Sequence, residues 1–196
     1  MNAVQGRQVI VIAGPSGSGK NAVINALLEQ NHNFVRLVTA TTRAMRPSER
    51  EGVDYHFMSQ EQFDAELAAG NIPEHRFVPS LNTYYGTYLP DLERRMKDGN
   101  VVFAQVDIEG AKLLKEKYNA TTIFIMPESL EQFRARLRTR NPEWSQKEFE
   151  ARMKITEEEM RVHAPQYDYR IVNADGKLED TVREIMEIMQ KEGYTP

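Results

Sequence analysis

The sequence predicts an α/β fold, a parallel sheet flanked by helices, with two excursions from the core. Three observations predict it. Short β-branched apolar runs alternate with helical patterns through both ends and the middle of the chain. The first run, "RQVIVIAG" (7–14), ends in glycine and opens the loop "GPSGSGK" (14–20). A helical pattern begins directly after that loop, which gives it the strand-loop-helix setting of a phosphate cradle.

The elements follow in order. "RQVIVIAG" reads as a buried strand. In "KNAVINALLEQ" (20–30), Val23, Ile24, Leu27 and Leu28 share one helical face. "FVRLVTATT" (34–42) reads as a second strand and "GVDYHFMS" (52–59) as another. The pattern over 59–70 is a helix, with Ser59 and Gln62 spaced as a capping box and a closing glycine. A helix over 89–99 leads into a buried strand over 100–110 that ends in an acid and a glycine. A helix over 110–118 and the strand "TTIFIMP" (121–127) come next. Residues 129–160 are helical and crowded with charge. "YRIVNAD" (169–175) is a last strand, and 178–193 an amphipathic closing helix.

Bulk properties narrow the function. The chain has 196 residues, enough for one sizeable core. A net charge of −4 gives no global basic field for nucleic acid or an anionic membrane, so an anionic ligand needs locally placed cations. The absence of cysteine removes thiol catalysis, disulfides and thiolate metal sites. No apolar run approaches the roughly 18 residues of a membrane span, and the N-terminus lacks the pattern of a signal peptide. The expectation is a cytoplasmic protein with no nucleic-acid or membrane partner; the oligomeric state is left open.

Gly14, Pro15, Ser16, Gly17, Ser18, Gly19 and Lys20 match a phosphate-binding loop of the P-loop NTPase type. Glycines let successive N–H groups turn inward toward phosphate oxygens, the helix N-terminus adds its dipole, and Lys20 supplies a compact cation. The next position departs from the motif. Asn21 stands where a Mg²⁺-contacting hydroxyl is usual, and its carbonyl oxygen is a weaker but chemically suitable ligand. Asp107, near the end of a buried strand, is either a second metal-side acid or a turn-forming acid before "EG".

Three further stretches, "TATTRAMRPSEREGVDYHF" (39–57), "YYGT" (84–87) and "VDIEG" (106–110), in that order after the glycine loop, resemble the guanylate kinase family. The resemblance runs from the first strand to about Asn173. It implies a single domain over 1–196, with a core of about 1–38, 88–128 and 161–196. It also implies an acceptor-nucleotide segment of about 39–87 and a lid of about 129–160. Matched position by position, Arg43 and Arg46 would grip the acceptor monophosphate, a task suited to paired guanidinium forks. Tyr55 and Tyr85 would complete that cup. Thr39, Glu74 and Thr87 would line the guanine pocket, with Glu49 near a base-side acid. A carboxylate there can accept from both N1–H and the exocyclic amine of guanine, which adenine cannot offer. Arg136, Arg140 and Arg152 match lid arginines that stabilise the transferring phosphoryl group, and Asn173 a residue beside the donor adenine. Arg134 and Arg138 read instead as a solvated face pairing with the acids at 157–159.

The resemblance therefore implies MgATP and GMP (or dGMP) as substrates and Mg²⁺ as cofactor. The chain departs from the family pattern at four places. Asn21 replaces the hydroxyl; Gln105 stands where an acid is usual; Glu109 replaces a glutamine; and the segment between Glu74 and Tyr84 is longer than usual. Two other readings stay open at this level: a non-catalytic domain that binds a phosphorylated partner, and a kinase with a shifted phosphomonoester acceptor.

Overall fold

A computed structural model describes residues 6–194. The outermost ends of the expected core, 1–5 and 195–196, lie outside the described residues. The large sheet is five-stranded and all parallel, in the order β2-β7-β1-β8-β9. Its strands are β1 (Val9–Ala13), β2 (Phe34–Arg36), β7 (Val101–Ala104), β8 (Thr121–Pro127) and β9 (Tyr169–Asn173). Every residue of β1 is buried, as the continuous apolar run requires when helices cover both faces. Ile10 and Ile12 pack with Val23, Ile24 and Leu27 of α1 (Lys20–Leu28) and Ile185 of α7 (Leu178–Lys191). Val9, Val11 and Ala13 pack on the other face with Leu92 of α3 (Leu89–Lys97) and Leu114 of α4 (Ile108–Tyr118). This strict alternation along β1 makes two core layers from one strand.

A second sheet, β4-β3-β6-β5, is built from β3 (Ala40–Thr41), β4 (His56–Phe57), β5 (His75–Val78) and β6 (Thr83–Gly86). The helix α2 (Gln60–Ala68) covers it through Phe63, which packs with Ala40 and Ile72. Ser59 and Gln62 form the expected capping box. The charged stretch is two helices, α5 (Leu130–Arg140) and α6 (Gln146–Glu158). They share a small core of Phe133, Leu137, Phe149 and Met153. A π-turn, Glu159–His163, follows α6 directly. No helix among the described residues is long and apolar enough to cross a membrane.

Several boundaries differ from expectation for physical reasons. The stretch 34–42 is not one strand: β2 belongs to the large sheet and β3 to the small one. The chain turns between them where the Val38 N–H donates to the Asp91 carboxylate at 3.0 Å. Asp91 lies far away in sequence, so no local pattern marks this break. The strand expected over 52–59 is only His56–Phe57, because Gly52 takes φ +68° and the Arg50 N–H is held by Asp54. The strand expected over 100–110 stops at Ala104; Asp107 caps α4 by accepting from the Glu109 and Gly110 N–H groups, both at 3.1 Å. The hairpin β5–β6 was not read at all. Its turn uses Pro79–Leu81 in a 3-10 turn and Asn82 in the left-handed region at φ +49°.

Candidate active site

The glycine loop joins β1 to α1, beside the neighbours β7 and β8 that diverge from β1 on its two sides. In an open parallel sheet that switch point is where ligands bind. Two glycines show why the loop needs them. A Cβ on Gly14, at φ +141°, would sit 2.4 Å from the Ile125 carbonyl oxygen. One on Gly19, at φ +90°, would sit 2.3 Å from Asn173 Nδ2. The Ser18 hydroxyl is fully buried inside the loop and has no hydrogen-bond partner among the described residues. Such an orphan fits a cradle shaped for an oxygen-rich ligand. The Lys20 ammonium folds back to donate to the carbonyls of Gly14 at 2.6 Å and Pro15 at 2.8 Å. Burial, with the Arg140 charge adding to it against Glu159, lowers the Lys20 pKa to about 8.

Asn173 supports the loop from beneath. Its amide donates to the Ser18 carbonyl at 2.9 Å and accepts from the Thr181 hydroxyl at 3.2 Å, so both ends of the side chain are engaged and buried. The expected place beside an adenine therefore comes with a structural task that ties β9 and α7 to the phosphate loop.

Asn21 and Gln105 are exposed and line one cavity of about 310 Å³ with Ser16, Gly17, Lys20 and Arg140. Asp107 faces an adjoining cavity instead, and Gln105 lines both. Among the described residues no cluster of three or more His, Asp or Glu is arranged to hold a metal. Mg²⁺ bound to a nucleotide needs only one or two protein oxygens, and the Asn21 carbonyl and Asp107 carboxylate fit that donor set.

The cavity on the expected acceptor side, about 320 Å³, opens between the small sheet and the glycine loop. Gly14, Lys20, Thr39, Tyr55, Glu74, Tyr85 and Thr87 all line it. Glu74 Oε2 accepts from the Thr87 hydroxyl at 2.7 Å. Burial pushes the Glu74 carboxyl up, and the Thr87 hydrogen bond opposes it. Gly110 permits this approach, since a Cβ there would lie 2.9 Å from Glu74 Oε2. The Tyr55 and Tyr85 rings meet edge to face with centroids 5.6 Å apart. Burial raises the Tyr55 phenol above its ordinary range.

Arg43 sits at the edge of this cavity, with its guanidinium 5.5 Å from the Tyr55 ring and 5.7 Å from that of Phe57. Glu49 takes both arms of its fork, at 2.7 and 2.9 Å, and also accepts from the Arg46 N–H at 2.8 Å. That pairing holds Arg43 above and Glu49 below their ordinary pKa values. Glu49, expected near the base, is thus a partner of Arg43 and a brace for the 43–49 loop. Arg46 is exposed.

The three arginines expected in the lid go to different places. Arg140 reaches the glycine-loop cavity. Arg136 lies 2.9 Å from Asp175, tying α5 to the end of β9. Arg152, itself exposed, stacks over Trp144 at 5.6 Å, inside the 130–158 helical stretch rather than at the glycine loop. Arg134 pairs with Glu150 at 3.0 Å and lies 3.9 Å from Glu157. Arg138 stacks over Phe149 at 4.1 Å.

Sequence reasoning missed Arg76 of β5 and Glu159 of the π-turn, both of which line the acceptor-side cavity. Strand β5 carries no clean alternation, and Glu159 reads as one more acid in a charged run.

The sequence profile of the guanylate kinase family matches residues 6–192. A guanylate kinase of Clostridium perfringens (strain SM101 / Type A) is 36% identical over 185 residues, covering 94% of this chain and 83% of that one. One from Chlorobaculum tepidum is 37% identical over 181 residues, 91% and 90% of the two chains. The crystal structure of guanylate kinase from Anaplasma phagocytophilum aligns with TM-score 0.68 and 32% identity, over 97% of this chain and 88% of that one. The SH3-kinase fragment of tight junction protein 3 aligns at TM-score 0.54 and 12% identity, over 98% of this chain and 59% of that one, a likeness of fold alone.

Proposed function

The chain belongs to the guanylate kinase family, and on that premise we propose that it transfers the γ-phosphoryl group of ATP to GMP, giving ADP and GDP. The carrying observation is one cavity that joins the glycine loop, through Gly14 and Lys20, to Glu74, Thr87 and the Tyr55–Tyr85 pair. A donor on the loop and an acceptor against the small sheet would meet there. The small sheet with α2 is the acceptor segment, and α5 with α6 is the lid.

Lys20 and the loop N–H groups hold the donor phosphates. Arg43, Arg46, Tyr55 and Tyr85 hold the acceptor phosphate, with Arg43 exchanging its Glu49 partner for phosphate oxygens. Glu74, braced by Thr87, accepts from the base edge, with Thr39 and Gln105 beside it. Glu74 is partly buried, so a carboxylate left unsatisfied there is costly, which disfavours adenine. Arg140 faces the loop and spreads positive charge over the transferring group, while Arg136 and Arg152 set the lid that carries it. Asn21 and Asp107 would hold Mg²⁺, which when bound neutralises charge on the phosphates. No general base is needed, because the attacking monophosphate is already anionic. A transfer from ATP to GMP belongs to purine nucleotide metabolism, and a cytoplasmic setting goes with this reading.

Coupled ADP release with MgATP and GMP tests this reading, alongside Arg43→Ala. We expect turnover in the wild type and a drop of about a hundredfold in kcat/KM for GMP in the variant. Near-normal activity in Arg43→Ala would remove Arg43 from the phosphate cup.

A further inference from the structure

Arg76 belongs to no motif, yet its place is specific. On β5 it pairs with Tyr85 of β6, and Tyr85 pairs in turn with Thr41 of β3. Directly opposed residues share a face of a sheet, so Arg76 stands beside the tyrosine that lines the acceptor-side cavity. Arg76 also lines the neighbouring cavity of about 440 Å³, with Gly14, Asp107, Glu159 and His163. Among the described residues it is the one Lys or Arg that lines both, and in the acceptor-side cavity it shares the lining with Gly14 and Lys20 of the glycine loop.

The charge balance there needs it. Three carboxylates, Glu74, Asp107 and Glu159, line the acceptor-side cavity against two strong cations, Lys20 and Arg76. Lys20 is engaged by two loop carbonyls. Three arginines near the site have partners of their own, Arg43 on Glu49, Arg36 on Asn25 and Arg136 on Asp175, and Arg140 faces the glycine-loop cavity instead. The Arg76 side chain makes no hydrogen bond or ion pair with any described residue, and Arg76 is exposed toward the cleft. Burial pushes the Glu159 carboxyl up, opposed by the charges of Lys20, His163 and Arg76 in that order, so the Arg76 charge is felt at the π-turn. An open guanidinium fork suits the non-bridging oxygens of a phosphate chain better than a point charge does.

We propose that Arg76 binds the phosphates passed between donor and acceptor, reaching from the acceptor sheet toward the glycine loop. This rests on the kinase reading above and adds to it a contact supplied by the unannounced hairpin. Exposed and with no hydrogen-bond or ion-pair partner among the described residues, Arg76 can be truncated with little effect on packing.

The test compares wild type, Arg76→Ala and Arg76→Lys in steady-state kinetics with ATP and GMP. It also measures, by isothermal titration, the affinity of each for adenosine-guanosine pentaphosphate, which spans both sites. Arg76→Ala should lower kcat by about tenfold to a hundredfold and weaken the pentaphosphate by about tenfold or more, at an unchanged melting temperature. Arg76→Lys should recover part of both. If wild type turns over GMP and Arg76→Ala stays within about twofold of it in both measurements, Arg76 is no phosphate ligand and the kinase reading stands. If wild type is inactive but binds the pentaphosphate, the titration alone decides on Arg76. Wild type that neither turns over GMP nor binds the pentaphosphate overturns the kinase reading and this inference together.

Discussion

Raising the pH through the titration of Lys20 should switch off donor capture. Burial, with the nearby Arg140, lowers its pKa from 10.5 to about 8 in the free protein. With that value Lys20 is about 90% protonated at pH 7 and about 10% at pH 9, so kcat/KM for ATP should fall about tenfold between them. Bound phosphates favour the charged form, so kcat, which reports the complex, should hold to higher pH than kcat/KM. The sign for stability is opposite. Between about 8 and 10.5 the unfolded chain binds the proton that the fold rejects, so stability rises with pH across that window. The gap between those values makes the charged, buried lysine cost the nucleotide-free fold about 3 kcal/mol below pH 8. Lys20→Met should therefore abolish transfer yet gain stability over wild type by up to that amount near pH 7, less what the two loop carbonyls lose. That gain should shrink as the pH is raised toward 10. Initial rates from pH 6 to 10, with chemical denaturation of both proteins over the same range, measure this. A kcat/KM that stays flat from pH 7 to 9.5 would refute the reasoning.

Two further predictions concern the metal and the turn between β2 and β3. Asn21→Ser replaces an amide carbonyl with a compact hydroxyl and should lower the Mg²⁺ concentration needed for half-maximal rate; an unchanged Mg²⁺ titration would mean that Asn21 is not a ligand. Burial pushes Asp91 up, but hydrogen bonds from His56, Arg95, the Val38 N–H and Arg94 outweigh it and hold the carboxyl below its ordinary 3.8. Arg95 donates at 2.5 Å and Arg94 at 2.7 Å, while His56 Nε2 lies 3.3 Å away. Asp91→Asn should cost about 3 kcal/mol at pH 7 in urea unfolding. The deficit should shrink as pH falls below 3.8 and through the lower folded-state value, where wild type loses the same charge. A deficit that does not change with pH would assign the effect to packing.

Local chemistry made part of this molecule legible. The β1 run, the glycines, the Ser59 capping box and the amphipathic α7 each act within a few residues, and each lies where the pattern put it. The chain's passage from the large sheet to the small one was not legible, because Asp91 on α3 holds Val38 from beyond the small sheet in sequence. The β5–β6 hairpin was missed for a related reason: His75, Arg76 and Phe77 are all exposed, so no apolar alternation marks the strand. In the site, motif spacing brought Lys20, Tyr55, Glu74, Tyr85 and Thr87 to one cavity. It did not reveal that Glu49 would occupy the Arg43 fork or that Asn173 would brace Ser18, since both depend on side-chain directions set by the folded backbone. Arg76 and Glu159 are visible only once β5 and the π-turn face each other across the cleft.

The most direct test of the central claim is a competition in one tube. The protein is given limiting MgATP with equal GMP, dGMP, AMP, CMP and UMP, and the diphosphates formed are separated and identified. The account predicts GDP, with dGDP beside it, and ADP only in the amount released by the donor. CDP, UDP or ADP in excess of the donor would contradict the assignment of Glu74 and Thr87 to guanine. No diphosphate product beyond background, from folded protein, would contradict the kinase itself.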